Sequence, residues 1–470
     1  MSLPRVIFYG RGEYVIKKVT RGDIEERKEV FQSTEIKAYP ETAMLAERLE
    51  WFQDLKLGII VHWGLYAEAG IVESWQLSEA DTWAREPISW REDVRELQRD
   101  YWQLNRVFNP TAFNPQQWAK TFQKAGVKYL IFTTKHHDGF NLYDTQVTDY
   151  KIGGRESPYQ GDLFGEMMEA AKAEGLATGA YYSKADWHSE DYWLPDETVK
   201  GRRASYSTQE QPEIWERYVT FVHQQIRELT HNYGPLDLLW LDAGWCGKGA
   251  EDLEMDRLVD IAREEQEKLI VVDRMMGGRH ENYVTPERSI PTVSDIPKQV
   301  WESNIPLGND WGYVPTDTFK SSQEVIEMFV DVVAKGGNLL LGVGPTPQGE
   351  ITKEEELILS ELGSWLEIYS EGIYETRKMR HIDEEVPWKM TRKDNAIFAF
   401  YPVTKPLPRL ITTAELGLAG INVLTAADLK TGVELVVEEQ SIIVLPAHSQ
   451  QELGMYGIKI MTEKGSLLAE

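Results

Sequence analysis

Apolar runs of five to eight residues recur along most of this chain, at 57–62, 127–134, 176–182, 236–242, 269–273 and 338–343. Each is too short for an ordinary helix and has the β-rich character of a strand buried on both faces. Between them the apolar spacing changes to the helical period. Ile214, Tyr218, Phe221, Val222 and Leu229 mark one helical face, and Val325, Met328, Phe329 and Val332 another. Gln116–Ala125 and Leu163–Ala173 read the same way, each followed by a glycine (Gly126, Gly175) suited to a helix C-cap. Strands alternating with helices over about 300 residues predict a parallel sheet with right-handed crossovers. Six or seven strands are legible rather than eight, so the fold class is α/β, an irregular (β/α)8-like, TIM-type barrel. An open doubly wound sheet is the competitor. No glycine-rich phosphate fingerprint follows the first strand, which weakens a nucleotide-binding version.

The pattern changes after a helix predicted at about 353–370. Ala396–Tyr401, Arg409–Thr412, Gly420–Val423, Gly432–Val437 and Ser441–Leu445 are short β-type runs separated by turn residues. They predict a C-terminal antiparallel β-sandwich over 373–470, after a catalytic barrel over 47–372. Residues 1–46 read as an N-terminal appendage with short strand candidates at Arg5–Tyr9 and Glu13–Lys17. The join at Tyr374–Arg380 has no linker composition, so the two main parts are expected to pack rigidly.

The strand ends carry the chemistry. YLIFTT (129–134) breaks into Lys135, His136, His137 and Asp138; LGIIV (57–61) ends at His62; DLLWL (237–241) ends at Asp242. In a (β/α) barrel the C-terminal strand ends are where catalytic groups sit, so one shared pocket is expected. Trp240 and Asp242 share a face by the period of two, which places an indole below the carboxylate. The bland alternative for Asp242 is a turn former or helix N-cap. A second carboxylate is offered by Glu287, in a loop held extended by Pro286. Glu302, after Trp301, is its rival, and Arg274 at the end of LIVVDR could pair with either and tune its pKa.

His62, His136 and His137, with Asp138 or Asp242, admit a metal reading. It is set aside on spacing: adjacent His136 and His137 on an extended strand would face opposite ways. Neutral histidines that bind hydroxyl groups fit better, so no metal is expected. The 16 tryptophans of the 470 residues sharpen this, because an indole suits a surface gripping C–H faces and hydroxyls together, as sugars present them.

A formal net charge of −26 argues against nucleic acid and anionic membrane as partners. No run of 18 apolar residues exists, so no transmembrane helix is expected. The single cysteine, Cys246, fits a reducing compartment, and MSLPRVIFYGRGEYV has no signal-peptide core. A cytoplasmic location is expected, with a removed leader as the alternative.

Taken in order, HWG (62–64), TKHHDGF (134–140), GAYYS (179–183), LLWLDAGW (238–245), DR…TPE (273–287), WGY (311–313) and KGGNLLLGVGP (335–345) resemble glycoside hydrolase family 29, the α-L-fucosidases. The resemblance covers about residues 45–375. It implies a retaining exo-glycosidase on a (β/α) barrel, without metal or organic cofactor, acting on fucosylated oligosaccharides or glycoconjugates. It implies Asp242 as nucleophile and Glu287 as acid/base, with Glu302 the alternative. His62, His136, His137, Trp240, Arg274 and a tyrosine of the YYS pair, taken as Tyr182, are implied substrate-binding residues, and Trp311 is a candidate wall for the fucose methyl. Glu73 and Trp75 stand where the family has an adjacent Glu-Trp pair; here Ser74 separates them. Gly342-Val343-Gly344-Pro345 replaces the usual Asn-Ile-Gly-Pro. A galactose-like sugar preference, a non-catalytic carbohydrate-binding barrel and a metal-dependent hydrolase are the other readings. Linkage preference, transglycosylation and assembly as a homo-oligomer are not legible.

Overall fold

A computed structural model of the chain describes residues 42–86, 88–196, 198–439, 442–445 and 453–463. The strand candidates at 5–9 and 13–17 lie outside the described residues.

Seven parallel strands form the larger sheet. They are β1 (Leu57–Val61), β2 (Tyr129–Lys135), β3 (Ala177–Ser183), β4 (Leu238–Asp242), β5 (Ile270–Asp273), β6 (Glu302–Pro306) and β7 (Asn338–Val343). Their order is β5-β4-β3-β2-β1-β7-β6, the cyclic order of a (β/α) barrel with a seam between β5 and β6. Six of these match the apolar runs of the sequence; β6 does not. Of its five residues, ESNIP, four are polar or proline, yet all five are buried.

The seam is filled by an irregular extended segment. Val272 bridges Glu281 on one side, and Val284 and Glu287 bridge Trp301 and Asn304, in parallel, on the other. Residues 284–287 thus take the place of a missing strand, and Glu287 emerges at its end. Pro286 suits such a segment, because the residue before a proline is steered to extended backbone.

The helices form where their ends are capped. Asn114 accepts a hydrogen bond from the Gln117 backbone at 3.0 Å, with Pro115 at the first helical position of Pro115–Lys124. Asp162 does the same for Gly165 at 2.8 Å ahead of Leu163–Ala173. Gly126 and Gly175 follow with φ of 86° and 74°, which glycine adopts without steric cost. Helices Ser322–Ala334 and Lys353–Tyr369 both start with a capping box. Apolar faces of these helices close over the outside of the sheet in one large core.

The C-terminal part contains an antiparallel six-stranded sheet and a three-stranded sheet, with a separate apolar cluster built on Ile397, Tyr401, Ile411 and Ile458. The longest strand of the six-stranded sheet, Met455–Thr462, was not legible in the sequence, and the run at Gly420–Val423 contributes only Val423 to strand Val423–Asp428. Trp365 donates its indole N–H to the Met455 carbonyl at 2.9 Å. Arg377 ion-pairs with Asp54 at 2.6 Å and Glu50 at 2.7 Å, so the join is held against the barrel.

Candidate active site

Ten of the eleven site residues expected from the sequence line one pocket at the C-terminal ends of the strands: His62, Glu73, Trp75, His136, His137, Trp240, Asp242, Arg274, Glu287 and Trp311. Trp245, Arg288, Asn304 and Asp310 also line it, as does Trp83 on its partly exposed side.

Asp242 ends β4. Its Oδ2 accepts the Tyr181 hydroxyl at 2.6 Å and its Oδ1 accepts Arg274 Nη1 at 2.7 Å. Burial alone pushes this carboxyl up, but Arg274, His137 and the Tyr181 hydroxyl outweigh it and hold the group well below the usual carboxylate range. The turn that presents it is made by Ala243, at φ 66°, rather than by Gly244.

Tyr181, not Tyr182, is therefore the pocket tyrosine. The register pairs Tyr181 with Trp240 and Tyr182 with Leu241. Paired residues of neighbouring strands share a face, so the inward Trp240 carries Tyr181 inward with it. Tyr182 turns outward, donating its hydroxyl to Gln225 of the helix Pro212–Asn232 at 2.8 Å.

Arg274 lies just past β5 with its guanidinium over the Trp240 ring, 5.0 Å from the centroid. Its second arm, Nη2, holds Glu287 Oε2, while Glu287 Oε1 accepts the Trp311 indole N–H at 3.3 Å. One planar fork thus bridges the two carboxylates. Burial pushes Glu287 up, but Arg274 and Arg288 bring its pKa below the ordinary value. A raised pKa, which a proton donor requires, is thus opposed by the two arginines.

Glu302 is the opposite case. It begins β6, at the end of the barrel away from the pocket mouth, and is fully buried. It accepts Tyr129 at 2.7 Å, with Tyr283 and Trp240 each at 3.4 Å. Burial raises its pKa to about 7. It lies beneath Trp240 and outside the pocket lining, as a residue of the floor.

The three histidines cluster. His62 stacks on Trp311 with centroids 5.0 Å apart, and His136 and His137 lie 4.2 Å apart. The expectation that His136 and His137 face opposite ways is corrected: β2 ends at Lys135, so both sit in the following turn and alternation does not apply. Ser74 contacts His136 Nδ1, and Ser183 lies 2.6 Å from His137 Nδ1. Burial lowers all three, His136 to about 4, so they are neutral at pH 7. His62 Nδ1, His137 Nε2 and Arg274 Nε are buried without a hydrogen-bond partner among the described residues.

His136, His137 and Asp242 have potential ligand atoms within 4.8 Å of one another. Arg274, paired to the same carboxylate, opposes a divalent cation there. Asp138 is turned away, accepting the Tyr101 hydroxyl at 2.6 Å.

Glu73 and Trp75 form the remaining wall. Glu73, at φ 34°, accepts the backbone N–H groups of Trp311 at 2.8 Å and Gly312 at 2.9 Å. Burial, with Asp310 nearby, pushes its carboxyl up to about 8. Trp75 meets His137 edge-on at 4.9 Å, and Arg202 covers its ring at 4.7 Å. The Gly342 departure has a direct consequence: a Cβ there would lie 2.6 Å from the Trp311 ring, so glycine lets the indole lie against β7.

Sequence reasoning missed Tyr181, Asn304, Arg288 and Asp310. Tyr181 is fixed by the register of β3 with β4, which the sequence does not display. The other three follow a strand or loops that carry no apolar signature.

A parallel barrel whose strand-end pocket holds two carboxylates on one arginine, walled by indoles and neutral histidines, defines a carbohydrate-directed hydrolase of the two-carboxylate class. The family described as Alpha-L-fucosidase matches residues 25–371, and the chain belongs to it. The tissue alpha-L-fucosidase of Rattus norvegicus is 28% identical over 369 residues, 75% of each chain. Among solved structures, alpha-L-fucosidase isoenzyme 1 from Paenibacillus thiaminolyticus superposes with a TM-score of 0.75 at 30% identity, covering 90% of this chain and all of that one (100%). A family 29 alpha-L-fucosidase from Bacteroides thetaiotaomicron, described as a trapped covalent intermediate with 2-fluoro-fucosyl fluoride, shares the fold: TM-score 0.72, 23% identity, 92% and 98% covered.

Proposed function

We propose that Asp242 is the nucleophile and Glu287 the acid/base of a retaining α-L-fucosidase acting on terminal fucosyl residues of oligosaccharides or glycoconjugates. Asp242 attacks the anomeric carbon while Glu287 gives its proton to the departing oxygen. Water then attacks the fucosyl–Asp242 ester, losing its proton to Glu287, and fucose leaves with its configuration retained.

The carrying observation is the shared guanidinium: Arg274 holds both carboxylates in one pocket and keeps Asp242 ionised for attack. Arg274 also favours ionised Glu287, the form needed to take a proton from water in the second step. For the first step Glu287 must be protonated, which we assign to substrate entry, since expelled water strengthens the upward push of burial. Neutral His62, His136 and His137 present ring nitrogens to sugar hydroxyls, and Trp311 provides the apolar wall for the C5 methyl.

The decisive test is mechanism-based labelling. Treatment with 2-fluoro-fucosyl fluoride, digestion and mass spectrometry should place the fucosyl adduct on the peptide containing Asp242. An adduct on any other side chain overturns the assignment. For Glu287→Ala, azide should restore turnover and yield α-fucosyl azide, whereas absence of rescue removes Glu287 from the acid/base role.

A further inference from the structure

Asn304 is fully buried, and among the described residues both ends of its amide, Oδ1 and Nδ2, lack a hydrogen-bond partner. It is the one described side chain with two separate polar atoms left in this state. Buried amides are normally satisfied, so an amide left this way inside a site points to a ligand.

Its position says which ligand. The Asn304 backbone bridges Glu287 in parallel, with Arg288 N donating to Asn304 O at 2.9 Å and Asn304 N to Pro286 O at 3.1 Å. Bridged partners share a face, and both side chains line the pocket with Asp242 and Arg274. Two residues earlier on the same face, Glu302 forms the floor, so Asn304 stands one layer above it. Trp75 and Trp83, by contrast, are partly exposed. A leaving group departs toward solvent, past such partly exposed residues; a fully buried amide meets the sugar ring that enters first. A carboxamide offers one donor and one acceptor side by side, which matches neighbouring hydroxyls of a pyranose.

We propose that Asn304 is a specificity residue that hydrogen-bonds ring hydroxyls of the bound L-fucosyl unit, one hydroxyl donating to Oδ1 and its neighbour accepting from Nδ2. This rests on the fucosidase reading of the same pocket. It also explains the polar strand β6: the sequence gives up apolar residues there because the lumen-facing positions serve the floor and the sugar.

The test separates binding from structure. In Asn304→Leu, close to isosteric, no hydrogen bond of the free protein is lost, so the melting temperature should stay level or rise. Competitive inhibition by free L-fucose should weaken at least about tenfold, because the sugar hydroxyls lose their partner. Unchanged inhibition overturns the inference, as does weakened inhibition accompanied by a fall in melting temperature. Asn304→Ala, which avoids overpacking, is read with L-fucose and its 3-deoxy and 4-deoxy analogues. Removing the contacted hydroxyl should weaken binding to the native enzyme but cost little further in the variant; additive losses for both analogues overturn the contact. If the native enzyme binds no L-fucose, the fucosidase reading itself falls, a different result from native binding that Asn304→Leu leaves intact.

Discussion

The Tyr181 hydroxyl donates to Asp242 Oδ2 at 2.6 Å from the adjacent strand, while Arg274 holds the other oxygen. The carboxylate is therefore oriented from two directions and has little freedom to rotate. Charge-assisted hydrogen bonds of this kind both stabilise the anion and aim it.

Tyr181→Phe removes one of the two. A hydrogen bond to a charged group is worth roughly 1.5–3 kcal/mol, so kcat/KM for an aryl α-L-fucoside should fall by about 10- to 100-fold. Tyr182→Phe deletes a hydroxyl on the other face, bonded to Gln225. It should lose about 1 kcal/mol of stability and keep near-native kinetics. Equal kinetic losses in the two variants would contradict the register argument.

Glu73 is read as the clasp that positions Trp311. In Glu73→Ala the N–H groups of Trp311 and Gly312 lose their acceptor, at roughly 1–3 kcal/mol for each buried group left unpaired. KM for the fucoside should rise and the melting temperature fall. Glu73→Gln keeps an oxygen acceptor and should restore most of both. Should Glu73→Gln instead abolish kcat with KM preserved, its proton rather than its position would matter.

The legible parts of this molecule are those where burial is apolar. Six barrel strands, the helices with good caps and the reactive residues at strand ends stood out because Val, Ile and Leu runs stop abruptly at His62, His136 and Asp242. β6 escaped because its inward positions are Glu302 and Asn304, and its outward Ser303 bonds the Ser289 carbonyl at 2.8 Å. Polarity there is satisfied by tertiary partners or directed to the pocket, which composition does not register. Tyr182 was chosen over Tyr181 because the phase of a strand buried on both faces is not set by polarity. The clustering of His136 and His137 was lost because strand alternation was extended two residues past the end of β2.

Metal dependence has a specific expectation. The ligand atoms of His136, His137 and Asp242 are close enough for a cation, but the paired Arg274 places a fixed positive charge against it. EDTA dialysis should leave fucosidase activity unchanged, and added zinc should not raise it. Activity lost on chelation and recovered with metal would return the site to the metal-dependent reading.

The floor carboxylate gives a pH prediction with a definite sign. Burial raises Glu302 to about 7 in the folded protein, against about 4.3 in an unfolded chain. A raised acid binds its proton more tightly when folded. Its contribution to stability is thus fully present below about pH 4.3 and is lost as pH rises toward 7. Glu302→Gln mimics the protonated form at every pH and keeps an oxygen for Tyr129. The stability of this variant relative to native should therefore increase between about pH 4.5 and 7, by a few kcal/mol at most, and level off above. Melting temperatures of both proteins across that range measure it. A difference that stays flat with pH would mean that Glu302 is ionised in the fold throughout, held by the Tyr129, Tyr283 and Trp240 donors against the push of burial.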